Sequence, residues 1–123
     1  MTPYLLIQTS QAPYSSSAAI DALEAAYAAT NIGLNVKFMF VDDGVFQLLN
    51  HQNSDAIAHK SMAKKLAALP MFDIEDIYVC RASAEQRDIN LEELALVEQL
   101  SVKSVAAETT QTLLLQASNV LVF

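Results

Sequence analysis

The sequence predicts an α/β domain built on a parallel sheet of about five strands with helices on both faces. Short apolar runs suited to buried strands alternate with longer segments of helical periodicity. Strands separated by helices make βαβ units, which join right-handed and place their helices on the sheet faces. The 123 residues, without internal repeat, low-complexity tract or linker, fit one domain over 1–123.

The elements follow in order. Tyr4-Leu-Leu-Ile-Gln8 is a short apolar run suited to a buried strand. A polar loop from Thr9 to Ser16 carries Pro13 and leads into a helix from about Ser17 to Asn31. Ile20, Leu23 and Tyr27 share one face of it, Ser15 to Ser17 offer N-caps, and Gly33 serves as the C-terminal stop. The alanine-rich stretch Ala18 to Ala29 suits close packing against a sheet or another helix. Val36 to Val41 reads as a second strand, ended by Asp42-Asp43-Gly44, with a short helix from Val45 to Leu49. Beyond a loop from His51, Ser54 caps a helix to about Leu69, on which Met62, Leu66 and Leu69 recur at helical spacing until Pro70 stops it. Ile74 to Cys80 holds a third strand and Leu94 to Val97 a weak fourth. Ser101 to Ala117 reads as a helix and Val120-Leu-Val-Phe123 as the last strand.

Composition narrows the function. The chain is 53% hydrophobic and only 17% charged, on the apolar side of a soluble protein. A small domain has much surface per volume, so a shortage of charge suggests apolar surface covered by other subunits, and leaves self-association open when the chain is alone. No apolar run approaches the roughly 18 residues of a membrane span, and the start lacks a basic n-region, so neither a span nor a signal peptide is expected. One cysteine cannot close an internal disulfide, which fits the reducing cytoplasm. A formal charge of −7 repels a phosphate backbone, so direct nucleic-acid binding is not expected.

In open parallel sheets, reactive groups gather outside the carboxyl ends of the strands. That rule nominates Thr9 to Ser16, Asp42-Asp43, Cys80-Arg81 and Leu100 to Ser101. Cys80 ends a strand, and Ser83-Ala-Glu-Gln86 follows with capping-box spacing. A helix starting there would aim free N–H groups at the thiol, and Arg81 would add a neighbouring cation; both favour the thiolate, the form that accepts and passes sulfur. Free cysteine is also among the most buried residue types and packs as a small hydrophobe, so both readings stand. Asp42-Asp43 could hold a cation, but a turn in which an aspartate caps the next helix is the simpler account. His51 and His59 lack cysteines at ligand spacing or an HExxH pattern, so no metal site is expected. Neither GxGxxG nor a P-loop nor GxSxG occurs, and no cofactor is expected.

Several stretches resemble the TusC/DsrF branch of the DsrE/DsrF-like sulfur-relay family. Phe40-Val-Asp-Asp-Gly-Val-Phe-Gln-Leu-Leu49 is similar to the segment ADGVFQLL of that branch. Leu69-Pro-Met-Phe-Asp-Ile-Glu75 and Tyr78-Val-Cys-Arg-Ala-Ser83 are similar to its LYDIE and WVCAASL stretches, and Asn119 to Phe123 to its terminal strand. The matches run in order over almost the whole chain. The resemblance implies a flavodoxin-like (DsrE-like) subunit in a heterohexamer with TusB-like and TusD-like partners. Such a complex passes persulfide sulfur to a TusE/DsrC-like acceptor, ending as 2-thiouridine at tRNA wobble positions, or serves sulfur oxidation in the Dsr branch. The family's sulfur-carrying cysteine belongs to the TusD/DsrE-type subunit, in a stretch like VCVAAALRRG. Cys80 stands at the corresponding place, but Arg81-Ala-Ser-Ala-Glu-Gln-Arg87 lacks the RRG that follows. The resemblance therefore makes Cys80, with Arg81 as thiolate stabiliser, a candidate second carrier or a relic in a subunit kept for assembly. An unrelated small-molecule-binding domain of the same architecture is the third reading.

Overall fold

A computed structural model of the chain describes residues 3–11, 17–48, 66, 68–89 and 102–123. Five strands form one sheet: β1 Leu5–Thr9, β2 Val36–Phe40, β3 Asp76–Cys80, β4 Lys103–Val105 and β5 Asn119–Val122. Their spatial order is β4-β3-β2-β1-β5, and every pair is parallel. The chain steps outward from β1 to β4, then crosses the whole sheet to lay β5 on the other side of β1. Right-handed steps taken in opposite directions put their helices on opposite faces. Packing shows the result. Helix α1 (Ala18–Asn31) covers the face carrying Ile7, Val36, Phe38, Phe40, Ile77 and Val79. Helix α3 (Ala107–Gln116) sets Leu113 and Leu114 against the other face, over Tyr4, Leu6, Met39, Val41 and Cys80.

Local sequence explains the seating of α1. Ala19, Ala22, Leu23, Ala26 and Ala29 form its buried stripe, and methyl side chains let the helix axis come close to β1 and β2. Gly33 ends it in the left-handed region at φ 85°, donating its N–H to Thr30 O while Leu34 donates to Ala29 O. That pair of bonds is a Schellman stop, and glycine meets its backbone demand without a Cβ penalty.

Most of the expected elements that fall on described residues sit within two residues of their predicted limits; the differences lie at the fourth strand and the helix after it, and at the segments after β2 and around Pro70. The fourth strand is Lys103–Val105, inside the segment expected to begin a helix at Ser101; the helix starts only at Ala107. The strand expected at 94–97 lies outside the described residues, as does most of the helix expected from Ser54 to about Leu69, of which Leu66 is helical and buried while Ala68 is already a turn. After β2 the chain forms a 3-10 helix over Asp42–Leu48, and a second 3-10 helix spans Leu69–Phe72 around Pro70. No described helix is long and apolar enough to cross a membrane.

Apolar residues remain outside the core. Ile32, Leu34, Met71 and Phe72 are exposed beside the amino ends of β2 and β3, and Leu115, Val120, Leu121 and Val122 on α3 and β5. Phe38, with no exposed surface, is central to the larger core. Phe38→Ala should cost about 3–5 kcal/mol in chemical denaturation, as large aromatic truncations in cores do. Leu115→Ala, at a site open to solvent, should change stability by less than about 0.5 kcal/mol in the isolated chain.

Candidate functional site

The carboxyl ends of the strands bring together β1, the Asp42–Leu48 3-10 helix, the end of β3 and helix α2 (Arg81–Gln86). Cys80 is the last residue of β3 and also the N-cap residue of α2, with extended backbone at φ −74° and ψ 115°. It retains 6% of its surface, packed with Tyr4, Leu6, Met39 and Val41 and flanked by Tyr78, Ala82, Leu113 and Leu114. Register explains the orientation. Cys80 pairs with Val105, and Tyr78 two residues back lies on the same face, beneath α3.

Arg81 points elsewhere. Its Nε donates to Ser104 Oγ at 3.2 Å, and Ser104 pairs with Val79, whose side chain lies on the α1 face. The guanidinium thus ties the start of α2 to β4. Ser83 does not cap the helix as its spacing suggests, because α2 already begins at Arg81. Its Oγ instead accepts the N–H of Asp42 at 3.0 Å, fastening α2 to the turn after β2.

That turn accounts for the acidic pair. Asp42 takes φ 49°, a region aspartate tolerates better than most residues. Asp43 receives Arg87 Nε at 2.9 Å, and Arg87 Nη1 also donates to Ser83 O at 3.1 Å. Among the described residues no group of three His, Cys, Asp or Glu side chains could hold a metal ion. His51, His59, Leu100 and Ser101, and the loop residues 12–16, lie outside the described residues.

Two arrangements escaped sequence reasoning. The first is a lock between β1 and the 3-10 helix. Val41 N–H donates to Thr9 O at 3.0 Å, and Gly44 lies so close that a Cβ there would fall on the Thr9 carbonyl, 2.9 Å from its carbon and nearer still to its oxygen. Gln47, almost wholly buried, donates Nε2 to Thr9 Oγ1 at 2.8 Å and to Gln11 O at 2.9 Å. A carbonyl only accepts, so the contact with Gln11 fixes which end of the amide is nitrogen. Its Oε1 is buried without a partner. The glutamine between Phe46 and Leu48 in an otherwise apolar run was the available signal.

The second arrangement lies on the α3 face near the amino ends of the strands. Lys37 Nζ sits 4.9 Å from the Tyr4 ring centroid and 5.8 Å from that of Tyr78, and bridges to Asp76 at 3.4 Å. Lys103 reaches the same carboxylate at 3.7 Å and the same Tyr78 ring at 5.7 Å. Burial alone would lower the pKa of Lys37, but Tyr78 and Asp76 together outweigh it and hold the ammonium above its ordinary range. Burial raises the Tyr4 phenol, against a partial opposing pull from Lys37, and raises Tyr27 as well.

The lock makes Gly44→Ala a test. The added carbon meets backbone rather than a movable side chain, so the variant should lose at least the about 1–3 kcal/mol typical of overpacking in urea melts. Tyr4, Tyr27 and Lys37 all bind their protons more tightly when folded. The unfolded chain then holds fewer protons above about pH 10, and stability must fall as pH rises through the raised folded values. Urea midpoints should decline over that range and decline less in Tyr27→Phe; a flat midpoint would contradict the assignment.

Comparison with known proteins agrees with this fold. The family model described as DsrE/DsrF-like matches residues 4–123. The chain is 40% identical over 96 residues to a protein named "Protein TusC homolog" from Pseudomonas aeruginosa, covering 78% of this chain and 81% of that one. A TusC homolog from Aliivibrio fischeri is 31% identical over 101 residues, covering 81% and 86% respectively. The crystal structure of the ychN protein from E. coli superimposes with a TM-score of 0.75 over 99% of this chain and 100% of that one; at 20% identity this speaks for the fold. From residue 4 to its last strand, the chain belongs to the DsrE/DsrF-like family.

Proposed function

We propose that this chain is a subunit of a cytoplasmic sulfur-relay complex and acts chiefly by positioning a partner's reactive cysteine. The observation that carries the reading is its similarity to TusC homologs over most of both chains. On this reading its companions are TusB-like and TusD-like subunits in a heterohexamer. The sulfur leaves through a TusE/DsrC-like acceptor towards 2-thiouridine in tRNA, with no cofactor required. The exposed aliphatic residues of α3 and β5 suit a chain that works within an assembly.

Burial of Cys80 supports the positioning role over the carrier role. A carrier thiolate must attack the outer sulfur of a donor persulfide, forming its own S–S bond while the donor leaves as a thiolate. An acceptor thiol then repeats the exchange, with no net oxidation. That chemistry needs an accessible, ionised sulfur. With 6% of its surface exposed among aliphatic and tyrosine side chains, Cys80 fits a packing role better. The carrier role keeps one point in its favour, the position of the thiol at a strand end where α2 begins.

Two measurements separate the readings. In cells, loss of the chain should abolish wobble thiolation while Cys80→Ser leaves it near wild type. Incubated with a persulfide donor, the purified chain should show no gain of about 32 Da, the mass of one sulfur atom. A mass gain that Cys80→Ser removes, accompanied by lost thiolation, would make Cys80 a carrier and overturn the positioning role.

A further inference from the structure

Strand β5 is an edge of unusual composition. Among the described strands it pairs with β1 alone, and its residues are Asn119-Val-Leu-Val122, without charge, proline or bulge. Natural sheets blunt such edges with lysine, proline or a covering segment, because unpaired N–H and C=O groups invite another strand. The sheet's other edge follows that rule: β4 carries Lys103 and Ser104. Val120, Leu121 and Val122 remain 37%, 42% and 61% exposed.

The hydrogen-bond phase shows which groups are free. Phe123 donates to Gln8 O and accepts from Ser10 N, so both its backbone groups face β1. Alternation along a parallel ladder then turns Leu121 inward and leaves the N–H and C=O of Val120 and Val122 pointing away from the sheet. The register places Val120 and Val122 with Leu6 and Gln8 on the α3 face, and Leu121 with Ile7 on the α1 face.

We infer that β5 is the contact between two copies of this chain, paired antiparallel about a two-fold axis through Leu121. What selects a second copy is the strand's own symmetry, since Val120-Leu121-Val122 reads the same in both directions. With Leu121 opposite the copy's Leu121, each outward-facing Val120 lies opposite the copy's Val122. The two valines of each such pair exchange both backbone bonds, as in a hydrogen-bonded antiparallel pair. The apolar surfaces match as well: leucine meets leucine on the α1 face and valine meets valine on the α3 face. Such a contact is isologous and closes at two copies, leaving no further edge of this kind. The chain carries a net charge of −7 but none within β5, so salt should strengthen the pairing by screening repulsion between copies. The inference does not depend on the sulfur-relay reading.

Sedimentation of the purified full chain over a concentration series tests it. A monomer–dimer equilibrium is expected, tighter at high salt, and hydrogen exchange should show Val120 and Val122 amides protected in the dimer. Val122→Pro removes only an outward N–H, leaves the β1 ladder whole, and deletes half of the bonds between copies. It should weaken the dimer about tenfold or more while the thermal melt of the monomer is preserved. The register has its own test. Val120→Lys with Val122→Glu sets opposite charges across each pair and should still dimerise, whereas Val120→Lys with Val122→Lys should be monomeric. A chain that stays monomeric at all concentrations overturns the inference. So does a dimer indifferent to Val122→Pro, or equal behaviour of the two double variants.

Discussion

Everything at the carboxyl end of the sheet depends on how closely the segment after β2 can approach the end of β1. Glycine at 44 permits that approach, since any side chain would meet the Thr9 carbonyl. Once seated, the Asp42–Leu48 turn buries Val45 and Leu48 in the larger core and sends Gln47 to Thr9 and Gln11. Through Asp42 and Asp43 it also holds Ser83 and Arg87 of the α2 region. The stretch most similar to the family segment is thus chiefly a structural clasp. Its acidic residues serve a turn and an ion pair.

The same clasp explains why Cys80 is enclosed. With α2 fastened to the turn and α3 laid across Leu6 and Met39, the end of β3 lies beneath side chains rather than at an open mouth. A parallel sheet offers its carboxyl ends as a place for chemistry. Here the described part of that end is largely filled by the chain's own packing. Of its ionisable candidates, Asp43 and Arg81 are tied to Arg87 and Ser104. An arrangement of this kind suits a subunit whose contribution is shape and attachment.

Much of the fold was legible because its signals are local. The runs Leu5–Ile7, Val36–Phe40, Ile77–Val79 and Val120–Val122 are short, apolar apart from Lys37, and rich in β-branched and aromatic residues. The helix stop at Gly33 is likewise a single-residue signal. Strand β4 was not legible: Lys103-Ser104-Val105 is three residues long, at an edge, and exposed, so it carries no apolar pattern to distinguish it from a helix start. Nor could spacing reveal the site's limits. Ser83 has the sequence of a cap, yet where α2 begins is set by tertiary contacts with Asp42. The cluster of Lys37, Asp76, Tyr4, Tyr78 and Lys103 exists only through register between strands distant in sequence.

The proposed packing role of Cys80 rests on its sulfur being shielded in the folded chain. Its most direct test is the rate at which a small disulfide reagent modifies Cys80 in the native protein, compared with the same chain in urea. Modification should be slow in the native state and accelerate by orders of magnitude on unfolding, since a shielded thiol reacts only through opening. Equal rates in the two states would mean an open, reactive thiol and would contradict the account.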